Sequence, residues 1–221
     1  PETSNLLSLA SRVAKSDVTV FINGPTGTGK EVLARFIHDK SARHTAPFVA
    51  INCAAIPENM LEAVLFGHEK GAFTGASMAN KGIFRAANLG TLLLDEISEM
   101  PIGLQSKILR VLQERKVTPL GAQTEIDVDV RVLATTNRDM RAEIQKNNFR
   151  EDLFYRLNVF PMATQALCDR ALDILPIAVA LLRKHAPSLE MIPWLSESAR
   201  DALLDHSWPG NVRELENVMQ R

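Results

Sequence analysis

The chain has 221 residues, of which 46% are hydrophobic and only 5% aromatic, with a formal net charge of −1 and a pI near 6.6. That length fits one α/β core with a small appendage, filled by aliphatic side chains. The near-neutral charge excludes a dominant nucleic-acid surface built from clustered Lys and Arg, and leaves room only for a local basic patch. Two isolated cysteines, Cys53 and Cys168, have neither disulfide-framework nor metal-ligand spacing and read as reduced thiols of a cytoplasmic protein. The start, Pro1-Glu2-Thr3, has no basic-then-apolar leader pattern. The longest apolar stretch, residues 171–182, is interrupted by Asp173 and Pro176 and is too short to cross a bilayer, so no membrane association is expected. With no obvious start and an end inside a helical pattern at Arg221, the chain reads as a piece of a longer protein.

In chain order, short apolar runs alternate with helical patterns. The runs are residues 18–23 (VTVFIN), 48–52 (FVAIN), 91–95 (TLLLD), 131–135 (RVLAT) and 159–162 (VFPM). Each is nearly continuous and polar mainly at its ends, as strands buried on both faces of a parallel sheet are. Helical patterns cover residues 31–40, 59–66, 101–115 and 138–146. The alternation predicts βαβ units: an α/β fold with a parallel sheet flanked by helices. Residues 116–129 read as a hairpin inserted before a core strand, with Pro119-Leu120-Gly121 near its turn. After Ala163 the strands stop, and helical patterns at 171–185, 196–206 and 211–221 predict a small helical subdomain. The expected division is 1–164 for the α/β core and 165–221 for the helical part.

Gly24-Pro25-Thr26-Gly27-Thr28-Gly29-Lys30 joins a strand to a helix with the spacing G-x-x-x-x-G-K. Glycines let backbone N–H groups turn toward a β-phosphate, the helix N-terminus adds positive potential, and Lys30 reaches the β- and γ-phosphates. The next position is usually Ser or Thr, whose hydroxyl binds Mg2+; here it is Glu31. The metal must then be held through water, by Asp95, or by Glu31 itself. Asp95 and Glu96 end the third strand, where a parallel sheet lines its ligand crevice. Asp95 suits the Mg2+ water shell, and Glu96 suits polarising the attacking water, which favours hydrolysis over binding alone.

Four further positions remain open on chemistry alone. Asn137, after Thr135-Thr136 at the end of the next strand, is either a γ-phosphate sensor or a helix N-cap. Arg150 and Arg156 are either surface partners of Glu151 and Asp152 or arginines that reach the nucleotide of a neighbouring subunit. Arg213 either touches bound nucleotide in cis or pairs with Glu214 or Glu216. Asn211 with Glu214, after Trp208-Pro209-Gly210, fits a capping box. Finally, Gly71-Ala72-Phe73-Thr74-Gly75-Ala76 puts an apolar residue at the tip of a loop with no regular period, which is a contact point or an ordinary packed surface loop.

That hexapeptide resembles the GAFTGA loop of sigma-54-dependent AAA+ activators, the bacterial enhancer-binding proteins. The resemblance runs from about Leu6 to Arg221. It takes in the Gly-Lys-Glu ending of the phosphate loop, Asn52-Cys53-Ala54-Ala55, Phe66-Gly67-His68-Glu69-Lys70-Gly71, Leu94-Asp95-Glu96, Ala134-Thr135-Thr136-Asn137-Arg138, Phe149-Arg150-Glu151-Asp152-Leu153, Tyr155-Arg156-Leu157-Asn158-Val159 and Trp208-Pro209-Gly210-Asn211-Val212-Arg213-Glu214-Leu215. It implies a P-loop NTPase core of the AAA+ type with a helical lid, ATP and Mg2+ as cofactors, and a ring of six or seven subunits that remodels sigma-54 RNA polymerase. Gly24 to Lys30 then resemble Walker A, and Asp95 with Glu96 Walker B. Asn52 resembles the residue that restrains the catalytic glutamate. Thr136 and Asn137 match the first sensor, Arg150 and Arg156 the trans arginine fingers, and Arg213 the second sensor. Gly71, Ala72, Phe73, Thr74, Gly75 and Ala76 resemble the part that grips sigma-54, and the hairpin resembles an insertion that supports it.

Three departures stand out. Pro25 replaces the usual Glu of the phosphate loop. Gln165-Ala166-Leu167-Cys168-Asp169-Arg170 replaces a Pro-Pro-Leu-Arg-Glu-Arg type segment at the hinge. The family's base-contacting segment would lie upstream of Pro1, so no adenine pocket is assigned. The resemblance places promoter and enhancer DNA contact in a domain outside this chain and suggests a two-component regulator as its parent. Two rivals are a different AAA+ machine, such as an unfoldase or helicase subunit, and a nucleotide-gated adaptor that does not turn over.

Overall fold

The computed structural model describes residues 2–186 and 193–220. Its core elements are α1 (Glu2–Ala14), β1 (Val20–Asn23), α2 (Lys30–Asp39), β2 (Phe48–Asn52), α3 (Glu58–Phe66), α4 (Ile83–Ala86), β3 (Thr91–Asp95), α5 (Ile102–Glu114), β4 (Lys116–Val117), β5 (Ile126–Asp127), β6 (Arg131–Thr136), α6 (Met140–Gln145), α7 (Glu151–Leu157) and β7 (Phe160–Ala163). Three helices follow: α8 (Ala171–His185), α9 (Glu197–Asp205) and α10 (Asn211–Met219).

The apolar runs form one parallel five-stranded sheet, ordered β2-β3-β6-β1-β7. Alternate side chains of the same strand enter different cores, which is why the runs carry no polar alternation. Val20 and Ile22 of β1, Leu93 of β3 and Leu133 of β6 pack under α1 and α2. Phe21, Leu92, Leu94, Val132 and Ala134 pack on the opposite face with α3, α5, α6 and α7. A third cluster, built from Leu167, Ile174, Ala178, Leu181, Leu203, Trp208 and Leu215, holds the last three helices together. There the Trp208 indole N–H donates to the Leu203 carbonyl at 2.8 Å, so a buried polar tip is satisfied.

Helix α1 has no counterpart among the helical patterns above. Beneath it, Arg131 at the start of β6 is 2% exposed and donates to the carbonyls of Val13 and Ala14 at 3.1 Å each. A buried guanidinium thus satisfies orphan carbonyls of the last turn of α1. The hairpin is reduced to two-residue strands, Lys116–Val117 against Ile126–Asp127. Between them, residues 118–125 run out to meet the 67–82 segment. Leu120 donates to the Gly67 carbonyl and accepts from the Glu69 N–H, both at 2.9 Å.

The strand order sets β6 between β1 and β3. The C-terminal ends of the three strands therefore lie side by side, bringing Asn23 and the loop after it, Asp95 and Thr136 to one edge of the sheet.

Candidate nucleotide site and partner loop

The loop after β1 turns through Gly24 to Gly29 and delivers Lys30 as the first residue of α2, where only 6% of Lys30 is exposed. Its ammonium donates to the carbonyls of Gly24 at 2.9 Å and Pro25 at 3.2 Å and lies 3.4 Å from Glu96 Oε1. Thr26, Gly27, Gly29, Lys30, Glu31, Asp95, Glu96, Val212 and Arg213 line one open cleft between this loop, the end of β3 and α10. A side chain added at Gly29 would meet no atom within 4 Å, so the turn opens onto free space.

Asp95 and Glu96 are held differently although adjacent. Asp95 Oδ1 accepts from the Thr135 hydroxyl at 2.5 Å, and its Oδ2 accepts from the Asn52 amide at 3.0 Å. Glu96 sits at φ 52, outside the strand geometry, which swings its side chain away from that of Asp95. Its N–H donates to Thr135 Oγ1 at 3.0 Å, and its Oε2 accepts from the Asn137 N–H at 3.1 Å. Asn52, expected to restrain the glutamate, meets Asp95 in this structure. Asn52 is in register with Asp95 across the β2–β3 pair, so its amide meets that carboxylate, and its Oδ1 accepts from Ala54 N–H at 2.9 Å.

Asn137 does not cap α6. Asp139 does, accepting from the Arg141 N–H at 2.9 Å. The Asn137 amide instead donates to Thr26 Oγ1 at 2.9 Å, tying the end of β6 to the phosphate loop. Thr136 is fully buried and donates to Ser98 Oγ at 2.9 Å, so it supports the cleft from behind.

The three arginines occupy three settings. Arg213 is exposed on the cleft wall and has no carboxylate partner among the described residues. Glu216 is taken by Lys184 at 2.7 Å and His185 at 3.1 Å, and Glu214 accepts from the Gly210 N–H at 2.7 Å. Arg150 forms a forked pair with Asp152, at 3.0 and 2.7 Å, and donates to Ser106 Oγ at 3.1 Å. Arg156 donates to the Leu112 carbonyl at 2.8 Å, near the end of α5. Neither Arg150 nor Arg156 lines the cleft of its own chain.

Asn211 also departs from the capping box. Its φ is 54 and it is 5% exposed. The amide donates to the Thr26 carbonyl at 2.9 Å while its Oδ1 accepts from the Leu167 N–H at 2.8 Å. Pattern reading missed this clamp because a polar residue before a helix is far more often a cap.

The 71–76 loop stands out from the core on two legs joined by a pair of backbone bonds between His68 and Asn80, at 3.0 and 2.9 Å. Gly71 N–H to Ala76 O, 2.8 Å, closes the tip. Phe73 is 45% exposed and rests an edge on His68, with ring centroids 5.0 Å apart, while Ala76 is buried. The 118–125 segment lies directly against this loop, since a side chain at Gly121 would come within 2.9 Å of the Ala72 Cβ.

Among the described residues no three metal-ligating side chains cluster, and no helix is long and apolar enough to cross a membrane. The donor set fits a magnesium ion held largely by phosphate oxygens and water, with Asp95 and Glu31 on the protein side, since Mg2+ seldom uses an all-protein cage. Burial, with the charges of Asp95 and Glu96 behind it, pushes the Cys53 thiol up to about 12, so it is inert packing beside the carboxylates.

Comparison with known proteins places the same residues in context. The Sigma-54 interaction domain family matches residues 1–163, and the AAA+ ATPase lid domain family matches residues 168–221. Over 100% of its length the chain is 60% identical to the response regulator protein FleR of Pseudomonas aeruginosa and 50% identical to the transcriptional regulatory protein GlrR of Escherichia coli, covering 47% and 50% of those proteins. The chain thus spans about half the length of these relatives. The crystal structure of NtrX from Brucella abortus in complex with ADP superposes with a TM-score of 0.90 at 36% identity, over 99% of this chain and 48% of that one. The corresponding ATP complex gives 0.88 at 36% identity, over 99% of this chain and 50% of that one.

Proposed function

Because the chain belongs to the Sigma-54 interaction domain family and carries an AAA+ lid, we propose that it is the ATP-hydrolysing motor of a sigma-54-dependent transcriptional activator. The observation that carries this reading is the convergence of Lys30, Asp95 and Glu96 on one cleft, with Asn137 bonded to Glu96 and Thr26 of its lining. Lys30 neutralises the β- and γ-phosphates. Asp95 and Glu31, which line the same cleft, would hold a magnesium ion, and it would supply charge stabilisation to the transferring phosphoryl group. Glu96 accepts a proton from the attacking water, and its own orientation is set by the Asn137 N–H. Asn137 joins Glu96 to Thr26, so it is placed to respond to a γ-phosphate. Arg213 serves the nucleotide in cis.

Arg150 and Arg156 act on a neighbour's nucleotide, so turnover requires a ring of six or seven subunits. The Asn52–Asp95 contact relays the nucleotide state to the end of β2, and α3 leads from there into the 67–82 arm. The tip formed by Gly71, Ala72, Phe73, Thr74, Gly75 and Ala76 grips sigma-54 in the triphosphate state and releases it as phosphate leaves; differential contacts of the two states are what perform work. Promoter and enhancer DNA are bound by another part of the parent protein, which operates in the cytoplasm.

Phosphate release tests the reading. The chain at high concentration turns over ATP, and Glu96→Gln binds ATP with turnover reduced at least about a hundredfold. If Glu96→Gln turns over at the parent rate, the assignment of the cleft is wrong. An adaptor that only binds nucleotide predicts no phosphate release from either protein.

A further inference from the structure

Resting on that reading, we infer that the lid is the outer scaffold of the phosphate loop, with Asn211 and Arg170 as positioning residues for nucleotide binding. Three consecutive carbonyls of the loop are all received from the hinge and lid. Thr26 O accepts from the Asn211 amide at 2.9 Å, Gly27 O from the Arg213 N–H at 3.3 Å, and Thr28 O from Arg170 Nη2 at 3.0 Å. A peptide plane whose carbonyl is fixed outward has its N–H fixed toward the other side. Outward bonds on residues 26 to 28 therefore set the direction of the next N–H groups, the ones that cradle phosphate.

Both positioning side chains are built for the task. Asn211 is buried, holds a left-handed backbone that costs a non-glycine residue energy, and uses both ends of its amide, one on the loop and one on the hinge at Leu167. Arg170 is 8% exposed, and its second fork donates to Thr3 Oγ1 at 3.0 Å. Thr3 in turn gives its N–H and hydroxyl to buried Asp173 of α8, at 3.0 and 2.6 Å. The start of α1, the hinge and the phosphate loop thus share one hydrogen-bonded chain. Neither residue touches the cleft, so neither is a catalytic residue.

The test is Asn211→Asp, which keeps the acceptor for Leu167 and removes the donor to Thr26, alongside Arg170→Lys. Three measurements are made on each variant: ADP affinity by calorimetry, amide exchange of residues 26–29 without nucleotide, and the thermal midpoint. The expected result is a roughly tenfold weaker ADP affinity and faster exchange in the loop, with the midpoint lowered by no more than about 4 °C. The double variant should lose less than the sum of the singles, since both act on one loop. Variants that bind ADP as tightly as the parent, or whose loop exchange is unchanged, overturn the inference alone. A parent chain that takes up no ADP overturns the functional reading and this inference with it.

Discussion

Gly82→Ala tests whether the arm is a braced lever or a loose loop. Gly82 lies at φ 73, and an added Cβ would fall 2.3 Å from the Gly67 nitrogen and 2.6 Å from the Phe66 carbonyl carbon. These are backbone atoms, so the two legs of the arm must part. The conformation of Gly82, φ 73 and ψ 166, belongs to a region nearly reserved for glycine and costs alanine about 1–3 kcal/mol. Separating the legs also loses the two bonds between His68 and Asn80, at roughly 0.5–1.5 kcal/mol each. The sum is roughly 2–6 kcal/mol, confined to the arm because the phosphate loop shares none of these contacts. Gly75→Ala is the control: it has positive φ, 103, but no atom within 4 Å of the new Cβ, so only the conformational cost of about 1–2 kcal/mol applies. Hydrogen exchange at the His68 and Asn80 amides reads the local opening. In Gly82→Ala their protection should fall at least about thirtyfold, and retention of sigma-54 with it, whereas Gly75→Ala leaves both amides protected. Equal protection in the two variants would refute the claim that the legs are locked by close backbone contact.

Lys30→Ala should weaken ATP affinity by at least about a hundredfold, measured by calorimetry, because a charge-assisted phosphate contact is lost. Thr74→Ala should hydrolyse ATP at close to the parent rate but fail to open promoter complexes in a transcription assay reconstituted with the full-length protein. The Arg43 guanidinium beside Asp17, 2.5 Å away, holds that carboxyl below its usual range. A folded-state pKa lowered below the unfolded value gives stability that is present above about pH 4 and lost as pH falls through the folded value. Thermal midpoints of Asp17→Asn should therefore be lower than the parent's at pH 7 and decline less steeply below pH 4. Iodoacetamide at pH 8 should label exposed Cys168 and spare Cys53 in the folded chain, with mass spectrometry locating the adduct.

What the sequence made legible follows from what has a strong local signature. The five strands announced themselves because burial on both faces removes polar alternation, and the parallel sheet followed from the helices between them. The phosphate loop and the Asp95–Glu96 pair were legible because chemistry fixes their spacing to a strand end. Helix α1 went unread although Leu6, Ala10, Val13 and Ala14 recur at helical spacing and share one core; Ser4, Asn5, Ser8 and Ser11 between them gave the stretch the look of a polar lead-in. Arg131, Arg170 and Asn211 were invisible for a different reason: each serves a backbone carbonyl far away in sequence, at separations of 118, 142 and 185 residues, and no local pattern encodes such a partner. Asn52 shows the same gap. Its position at the end of β2 could be read, but whether its amide meets Asp95 or Glu96 depends on strand register and on the positive φ of Glu96.

The most direct test of the motor reading is sigma-54 retention by Glu96→Gln in ATP and in ADP, measured by anisotropy of labelled sigma-54. The account predicts stable capture with ATP and at least about tenfold weaker capture with ADP, because the arm's grip follows the γ-phosphate. Equal capture in the two nucleotides, or none with ATP, would contradict it.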